Sequence, residues 1–254
     1  MWKTLFNSEE PDAEKEHEPS APLSTLIETG QLNLPEIKSD IHVINIIGQI
    51  EGHLIMPPQN KTTRYEHIIP QLVAVEQAPE IKGVLLILNT VGGDVEAGLA
   101  IAEMVSTCSK PSVSLVLGGG HSIGVPVAVS TRYSYIAPTA TMTLHPIRLT
   151  GLVIGVQQSF NYFQKMQDRV INFIVANSKI QEEPLRDYMM RTGELAQDIG
   201  TIIVGKDAVN CGLIDDVGGI GDAMRKLREM IDEGEAGEKE GDAVKKKGEA
   251  NLPC

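Results

Sequence analysis

Residues 83–107 read GVLLILNTVGGDVEAGLAIAEMVST, and this stretch decides the fold class. It starts with a short run of apolar residues, reaches two adjacent glycines at Gly92 and Gly93, and continues from residue 95 with apolar residues at helical spacing. An apolar run, a glycine turn and an amphipathic segment predict a buried strand that leads directly into a helix. Asp94 stands where such a helix needs its N-cap.

The same alternation of strand-like and helical segments occurs on both sides of this stretch. Strand-like apolar runs occupy residues 41–50 (IHVINIIGQI) and 112–117 (SVSLVL). Residues 65–77 have apolar positions at helical spacing, and residues 123–130 follow a cluster of glycines. Continuous apolar strands separated by helices are typical of a parallel sheet covered on its faces, so the sequence predicts an α/β fold.

Residues 155–181 are predicted to form one long amphipathic helix. At 1.5 Å per residue it would be about 40 Å long, more than the core of a single domain this size covers. We therefore expect its apolar side to contact another subunit. That side carries Phe160, Phe163, Met166, Val170, Phe173 and Ile174.

The composition suggests one domain with a charged tail at each end. Residues 1–34 are acidic and poor in large apolar residues, and residues 233–254 are charged and equally poor in them. Such segments cannot bury enough surface to fold, so both are predicted to be disordered around a domain at residues 35–232. The net charge of −12 excludes a general affinity for nucleic acid.

Other sequence features favour a cytoplasmic protein that has neither metal nor cofactor. The three cysteines, Cys108, Cys211 and Cys254, are widely spaced and include no CxxC pair, which suits a reducing compartment. Residues 111–131 have no charged residue, but their glycines and prolines argue against stable membrane insertion. No P-loop motif and no metal-binding motif occurs in the sequence.

Candidate catalytic groups lie at the ends of predicted strands. Ser122 is the centre of a G-x-S-x-G sequence, GHSIG, after the strand SVSLVL, where it could be an exposed nucleophile. His145 ends a β-branched run and is a candidate base. The glycine pair at residues 92 and 93 could offer backbone N–H groups to a developing oxyanion. No acidic residue lies between Ser122 and His145, which excludes the α/β-hydrolase order of a triad.

Four segments together resemble the ClpP peptidases, and the resemblance extends over about residues 41–220. Within that family the chain is most similar to a shorter branch connected with pre-protein export. The resemblance implies a ClpP/crotonase-type fold of repeated β-β-α units with a protruding handle helix, which residues 155–181 would supply. The segments are LILNTVGGDVEAGLAIAEMV, GGGHSIGVPVAVS, TLHP and GKDAVNCGLIDDV.

The resemblance also implies an activity and its residues. Ser122 would be the nucleophile and His145 the general base of a serine endopeptidase, with an oxyanion hole formed by the N–H groups of Gly93 and Ile123. Its substrates would be peptides or unfolded proteins, cleaved inside a ring-shaped homo-oligomer. Any dependence on ATP would come from a separate unfoldase.

The acidic member of the triad does not match the family pattern. The segment that carries it in the family is shorter here and reads ELAQDIGTIIV. Asp198 is the nearest replacement, Asp207 falls within the last helix pattern, and a missing or water-replaced acid is the alternative. A histidine, His121, also stands before the serine, where the family has small residues. Two other functions therefore stay open: a ring-forming adaptor with a weakened site, and a crotonase-fold enzyme acting on acyl-CoA thioesters.

Overall fold

The computed structural model describes residues 39–148, 154–193 and 199–249, with side chains as far as residue 236. Strands and helices alternate through most of this part of the chain. The elements in order are β1 (Ile41–Glu51), β2 (Thr62–Arg64), α1 (Tyr65–Gln77), β3 (Gly83–Gly93), α2 (Val95–Ser106), β4 (Ser112–Gly120), α3 (Gly124–Val129), β5 (Tyr133–Ile136), β6 (Thr141–Leu144), α4 (Gln157–Ala176), α5 (Glu182–Met190), β7 (Thr201–Val204), α6 (Lys206–Asn210), β8 (Asp216–Val217) and α7 (Ile220–Glu249).

The central sheet is mostly parallel, which confirms the predicted α/β fold. Its main path runs β2-β1-β3-β4-β5-β8, and all neighbours along that path are parallel. β6 is joined to β4 in parallel through the pair Gly119 and Thr141, and β7 is antiparallel to β6. Because β1, β3 and β4 point the same way, their carboxyl ends meet at one edge of the sheet, the usual place for a binding site.

Two apolar layers cover the two faces of the sheet. The larger core includes buried residues of α1, α2, α3 and the second half of α4. On the other face, Ala223, Leu227 and Ile231 of α7 pack with Leu85 of β3 and Leu115 of β4. The central strands are therefore buried on both sides, which is why their sequences are continuous apolar runs rather than alternating ones.

The helix α7 continues beyond residue 232, where the composition suggested that the domain ends. Its backbone is helical to Glu249. The segment after residue 232 is rich in glutamate, lysine and alanine, which have high helix propensity, so low apolar content did not exclude a helix. The predicted tail at residues 1–34 and the last five residues lie outside the described part of the chain.

The helix α4 is shorter than the expected helix at residues 155–181. It starts at Gln157 and ends at Ala176, so its length is about 30 Å. Two polar side chains bond to carbonyls of its last turn: Asn177 Nδ2 donates to Phe173 O at 2.8 Å, and Ser178 Oγ donates to Ile174 O at 2.6 Å. Side chains that bond to the helix backbone in this way favour helix termination.

The apolar side of α4 divides into a buried half and an exposed half. Val170, Phe173 and Ile174 are buried in the core of their own subunit, so the expected subunit contact is wrong for this half of the helix. Near the amino end, Phe160 is 67% exposed and Tyr162 is 57% exposed. The apolar side of α4 therefore packs against the domain in the second half of the helix and is exposed to solvent near its amino end.

We expect Val170→Glu to destabilise the fold because Val170 is only 6% exposed. An unpaired carboxylate buried there should lower the free energy of unfolding by about 3 kcal/mol or more. Asn172→Glu is the matched control, because residue 172 is exposed on the same helix. Denaturant unfolding of both variants measures the difference, and equal stability of the two would contradict the burial of Val170.

Candidate active site

Ser122 lies on the turn between β4 and α3 in a backbone conformation that non-glycine residues rarely adopt. Its φ is 55°, and among the described residues no other non-glycine residue has a positive φ. Such a conformation costs about 1–3 kcal/mol and occurs preferentially at functional sites. A serine on a strained strand-to-helix turn has its hydroxyl exposed, as nucleophilic serines do.

Hydrogen bonds from three elements hold this turn. The His121 N–H donates to Thr90 O of β3 at 3.1 Å, and the Ser122 N–H donates to Thr143 O of β6 at 2.9 Å. The Gly124 N–H closes the turn by donating to His121 O at 2.8 Å. The left-handed residue is therefore fixed by neighbouring strands on both sides.

The turn after β3 packs directly against the serine turn. Gly92 has a φ of 87°, and a Cβ at this position would lie 2.7 Å from Ser122 Cβ and 2.8 Å from His121 O. Only a residue without a side chain allows the two turns to approach this closely. The glycine pair noted in the sequence thus lies beside the serine, 30 residues away along the chain.

His145 follows β6 and has a defined ring orientation. Its Nδ1 is 2.6 Å from the carbonyl oxygen of Pro146. A carbonyl oxygen can only accept, so Nδ1 must carry the proton of this hydrogen bond. In the neutral ring the lone pair is then on Nε2, the nitrogen that can accept a proton from another group.

One cavity of about 420 Å³ brings most of the predicted site residues together. Ser122, His145, Gly93 and Ile123 all line it. Asp198 lies outside the described residues. Asp207, the less favoured acid, is in the first turn of α6 and lines a separate cavity with Tyr188 and Arg191, among others.

The amino end of α2 lies beside this cavity. Asp94 caps the helix, as expected, because its Oδ1 accepts a hydrogen bond from the Ala97 N–H at 2.9 Å. Gly93, directly before the cap, approaches β1 so closely that a Cβ would lie 2.1 Å from Ile50 O. The partial positive charge of a helix amino end favours negative charge that develops nearby.

Several residues of the cavity wall were not predicted from the sequence. Val170 and Ile174 of α4 and Met189 of α5 form part of its apolar side, although the first two were assigned to a subunit interface. Gln49 at the end of β1 and the exposed Arg148 also line the cavity. Among these positions only Gln49 stood out in the sequence, because it is a polar residue within a run rich in β-branched residues.

The ring of His121 is directed towards β6. Its Nδ1 is 2.8 Å from Thr143 Oγ1. Burial lowers the pKa of His121, and the nearby His145 lowers it further. This contact was not predicted from the sequence.

The described residues contain neither a metal-binding cluster nor a membrane-spanning helix. No group of three or more histidine, cysteine or acidic side chains there could hold a metal ion. No helix in the same ranges is both long enough and apolar enough to cross a membrane. Cys108 and Cys211 are free thiols.

Comparisons with known proteins identify relatives of this chain. Translocation-enhancing protein TepA of Halalkalibacterium halodurans is 60% identical over 231 residues, which cover 91% of this chain and 90% of that protein. A proteolytic subunit of the ATP-dependent Clp protease from Streptococcus suis is 29% identical over 140 residues, which cover 50% of this chain and 70% of the subunit. A putative protease of Methanocaldococcus jannaschii is 25% identical over 208 residues, or 71% of this chain and 65% of that protein.

The family comparison agrees with these relatives and with the mostly parallel α/β fold. The sequence model of the Clp protease family matches residues 38–220, which include every strand and helix from β1 to β8. This chain therefore belongs to the Clp protease family.

Proposed function

We propose that this protein is a serine endopeptidase in which Ser122 is the nucleophile and His145 is the general base. The observation that carries the proposal is that Ser122, on its strained turn, lines the same cavity as His145. Serine is a weak nucleophile at its ordinary pKa and needs a base that takes its proton. Nε2 of His145 can act as that base, since Nδ1 already donates to a carbonyl.

The reaction starts when His145 Nε2 accepts the proton of Ser122 and Oγ attacks the carbonyl carbon of a peptide bond. The carbonyl oxygen becomes an oxyanion, to which the N–H groups of Gly93 and Ile123 donate hydrogen bonds. His145 then returns the proton to the leaving amine while the C–N bond breaks, so that an acyl ester stays on Ser122. Water, deprotonated by His145, hydrolyses this ester and releases the new carboxyl end.

The cavity wall favours apolar substrate side chains. Val125, Val170, Ile174 and Met189 contribute an apolar surface beside the serine. A substrate side chain that packs there gains free energy by leaving water, which suits peptides or unfolded proteins with exposed apolar residues.

Assembly and biological role are part of the same proposal. We expect a ring-shaped homo-oligomer that encloses the sites, since the exposed Phe160 and Tyr162 leave an apolar surface at the amino end of α4. The name of the Streptococcus suis relative suggests a separate ATP-dependent partner, and the name of the Halalkalibacterium halodurans relative suggests a role in protein translocation. The cytoplasmic location stays a prediction from the cysteine pattern.

The first test is covalent labelling with a fluorophosphonate, which bonds to an activated serine as fluoride leaves. We expect labelling of the wild type, none of Ser122→Ala, and labelling of His145→Ala that is slower by roughly 1000-fold or more. Ser106→Ala, on the surface of α2, is the matched control and should label normally. Hydrolysis of a peptide should follow the same order, and the double variant should be no slower than Ser122→Ala.

Two outcomes would count against the peptidase. A folded wild type that neither labels nor cleaves peptides would favour the ring-forming adaptor. The same result together with hydrolysis of an acyl-CoA thioester would favour the crotonase-type enzyme.

The second test concerns Asp198, the candidate acidic member of the triad. If Asp198 orients His145, Asp198→Asn should lower kcat by roughly 100-fold or more and leave the fold intact. Asp207→Asn is the matched control because Asp207 lines a different cavity. Activity of Asp198→Asn equal to that of the control would show that His145 is oriented without Asp198.

The third test concerns assembly. Phe160→Glu places a charge on the exposed apolar surface of α4 and should shift the protein to a smaller species in size-exclusion chromatography with light scattering. Gln164→Glu, at an exposed polar position of the same helix, should keep the wild-type mass. An unchanged mass for Phe160→Glu would argue against assembly through this end of the helix.

A further inference from the structure

His121 is a half-buried titratable side chain that the proposed mechanism does not use. It precedes the nucleophile, and its ring is enclosed between β4 and β6. On one side its Nδ1 is 2.8 Å from Thr143 Oγ1. On the other side its Nε2 lies so close to Gly119 that a Cβ there would approach within 2.6 Å. The ring therefore has little freedom to rotate.

Thr143 bonds to two consecutive residues of the serine turn. Its carbonyl oxygen accepts the Ser122 N–H at 2.9 Å, and its hydroxyl is the partner of His121. Thr143 also lies on β6, two residues before His145, which directly follows that strand. The turn that carries the nucleophile is thus tied by a backbone bond and a side-chain bond to the strand that leads into the base.

These bonds matter because Ser122 has a conformation that it would not keep alone. Its φ of 55° is unfavourable for a residue with a side chain, and surrounding contacts must maintain it. Backbone bonds to β3 and β6 hold the turn, and the side-chain bond from His121 adds a second connection to β6 at the residue next to Ser122. The direction of Ser122 Oγ relative to His145 is then defined.

We propose that His121 and Thr143 are a positioning pair that aligns Ser122 with His145. The inference rests on the proposed function, in which Ser122 and His145 react together. His121 acts through Thr143 and the turn and does not touch the reacting atoms. Burial lowers the pKa of His121, which favours the neutral form of the ring.

The test separates alignment from substrate binding. We expect His121→Ala and Thr143→Val each to lower kcat by roughly 10–100-fold, since small misplacements of a nucleophile have effects of this size. For His121→Ala, KM should change by less than about 2-fold, because His121 does not line the cavity and its loss removes no contact with bound substrate. The double variant should be no slower than the slower single variant, because the two residues act as one unit.

Conservative variants provide the rescue. His121→Asn has a polar atom near the position of Nδ1, and Thr143→Ser keeps the hydroxyl, so both should recover most of kcat. His42→Ala is the matched control: His42 is a half-buried histidine on β1 whose Nε2 is 3.3 Å from Gln71 Oε1, and it does not line the cavity. Wild-type kcat in His121→Ala, or losses that add in the double variant, would overturn the proposal.

A second readout does not depend on catalysis. Hydrogen–deuterium exchange of residues 118–125, measured by mass spectrometry, should be faster by about 10-fold or more in His121→Ala and near wild type in His121→Asn. If the wild type shows no activity that depends on Ser122, the proposed function fails. The exchange measurement still tests whether His121 and Thr143 hold the turn in place. Unchanged exchange in His121→Ala would overturn the positioning role.

Discussion

The candidate site depends on one strained residue that its neighbours hold in place. Ser122 has a left-handed backbone conformation, which costs free energy that the turn by itself does not recover. Hydrogen bonds from His121 to Thr90 of β3 and from Ser122 to Thr143 of β6 fix the turn, and Gly92 leaves room for it. The conformation exists because strands on both sides of the turn are already in position.

The parallel sheet provides those positions. β3 and β4 are buried on both faces, so their register is fixed by the packing of apolar side chains above and below. Since both strands run in the same direction, the glycine turn after β3 and the serine turn after β4 emerge at one edge. β6 reaches the same edge beside β4 and brings His145 with it. The stability of the core and the geometry of the site are therefore consequences of the same packing.

The helix α4 has two roles along its length. Its second half is part of the apolar core and, through Val170 and Ile174, part of the cavity wall. Its first half presents Phe160 and Tyr162 to solvent. A change in the packing of this helix would therefore alter the wall of the cavity.

Much of the fold and part of the site could be derived from local sequence. The run GVLLILNTVGGD contains its own strand, turn and cap, because apolar continuity, paired glycines and Asp94 each have a local physical meaning. The same holds for a serine and a histidine at strand ends, which pointed to Ser122 and His145. The paired glycines also indicated an oxyanion role, but the resemblance to a known family was needed to choose Gly93 and to add Ile123, since spacing along the chain does not give distance in space.

Other features were decided only by tertiary structure. An apolar stripe has the same pattern whether it meets its own core or another chain, so the sequence could not show that Val170 is buried within the subunit. The bond between His121 and Thr143 joins residues 22 positions apart, and only the pairing of β6 with β4 brings them together. Local patterns determine which element forms, but long-range packing decides which side chains meet, because contact depends on strand order and register.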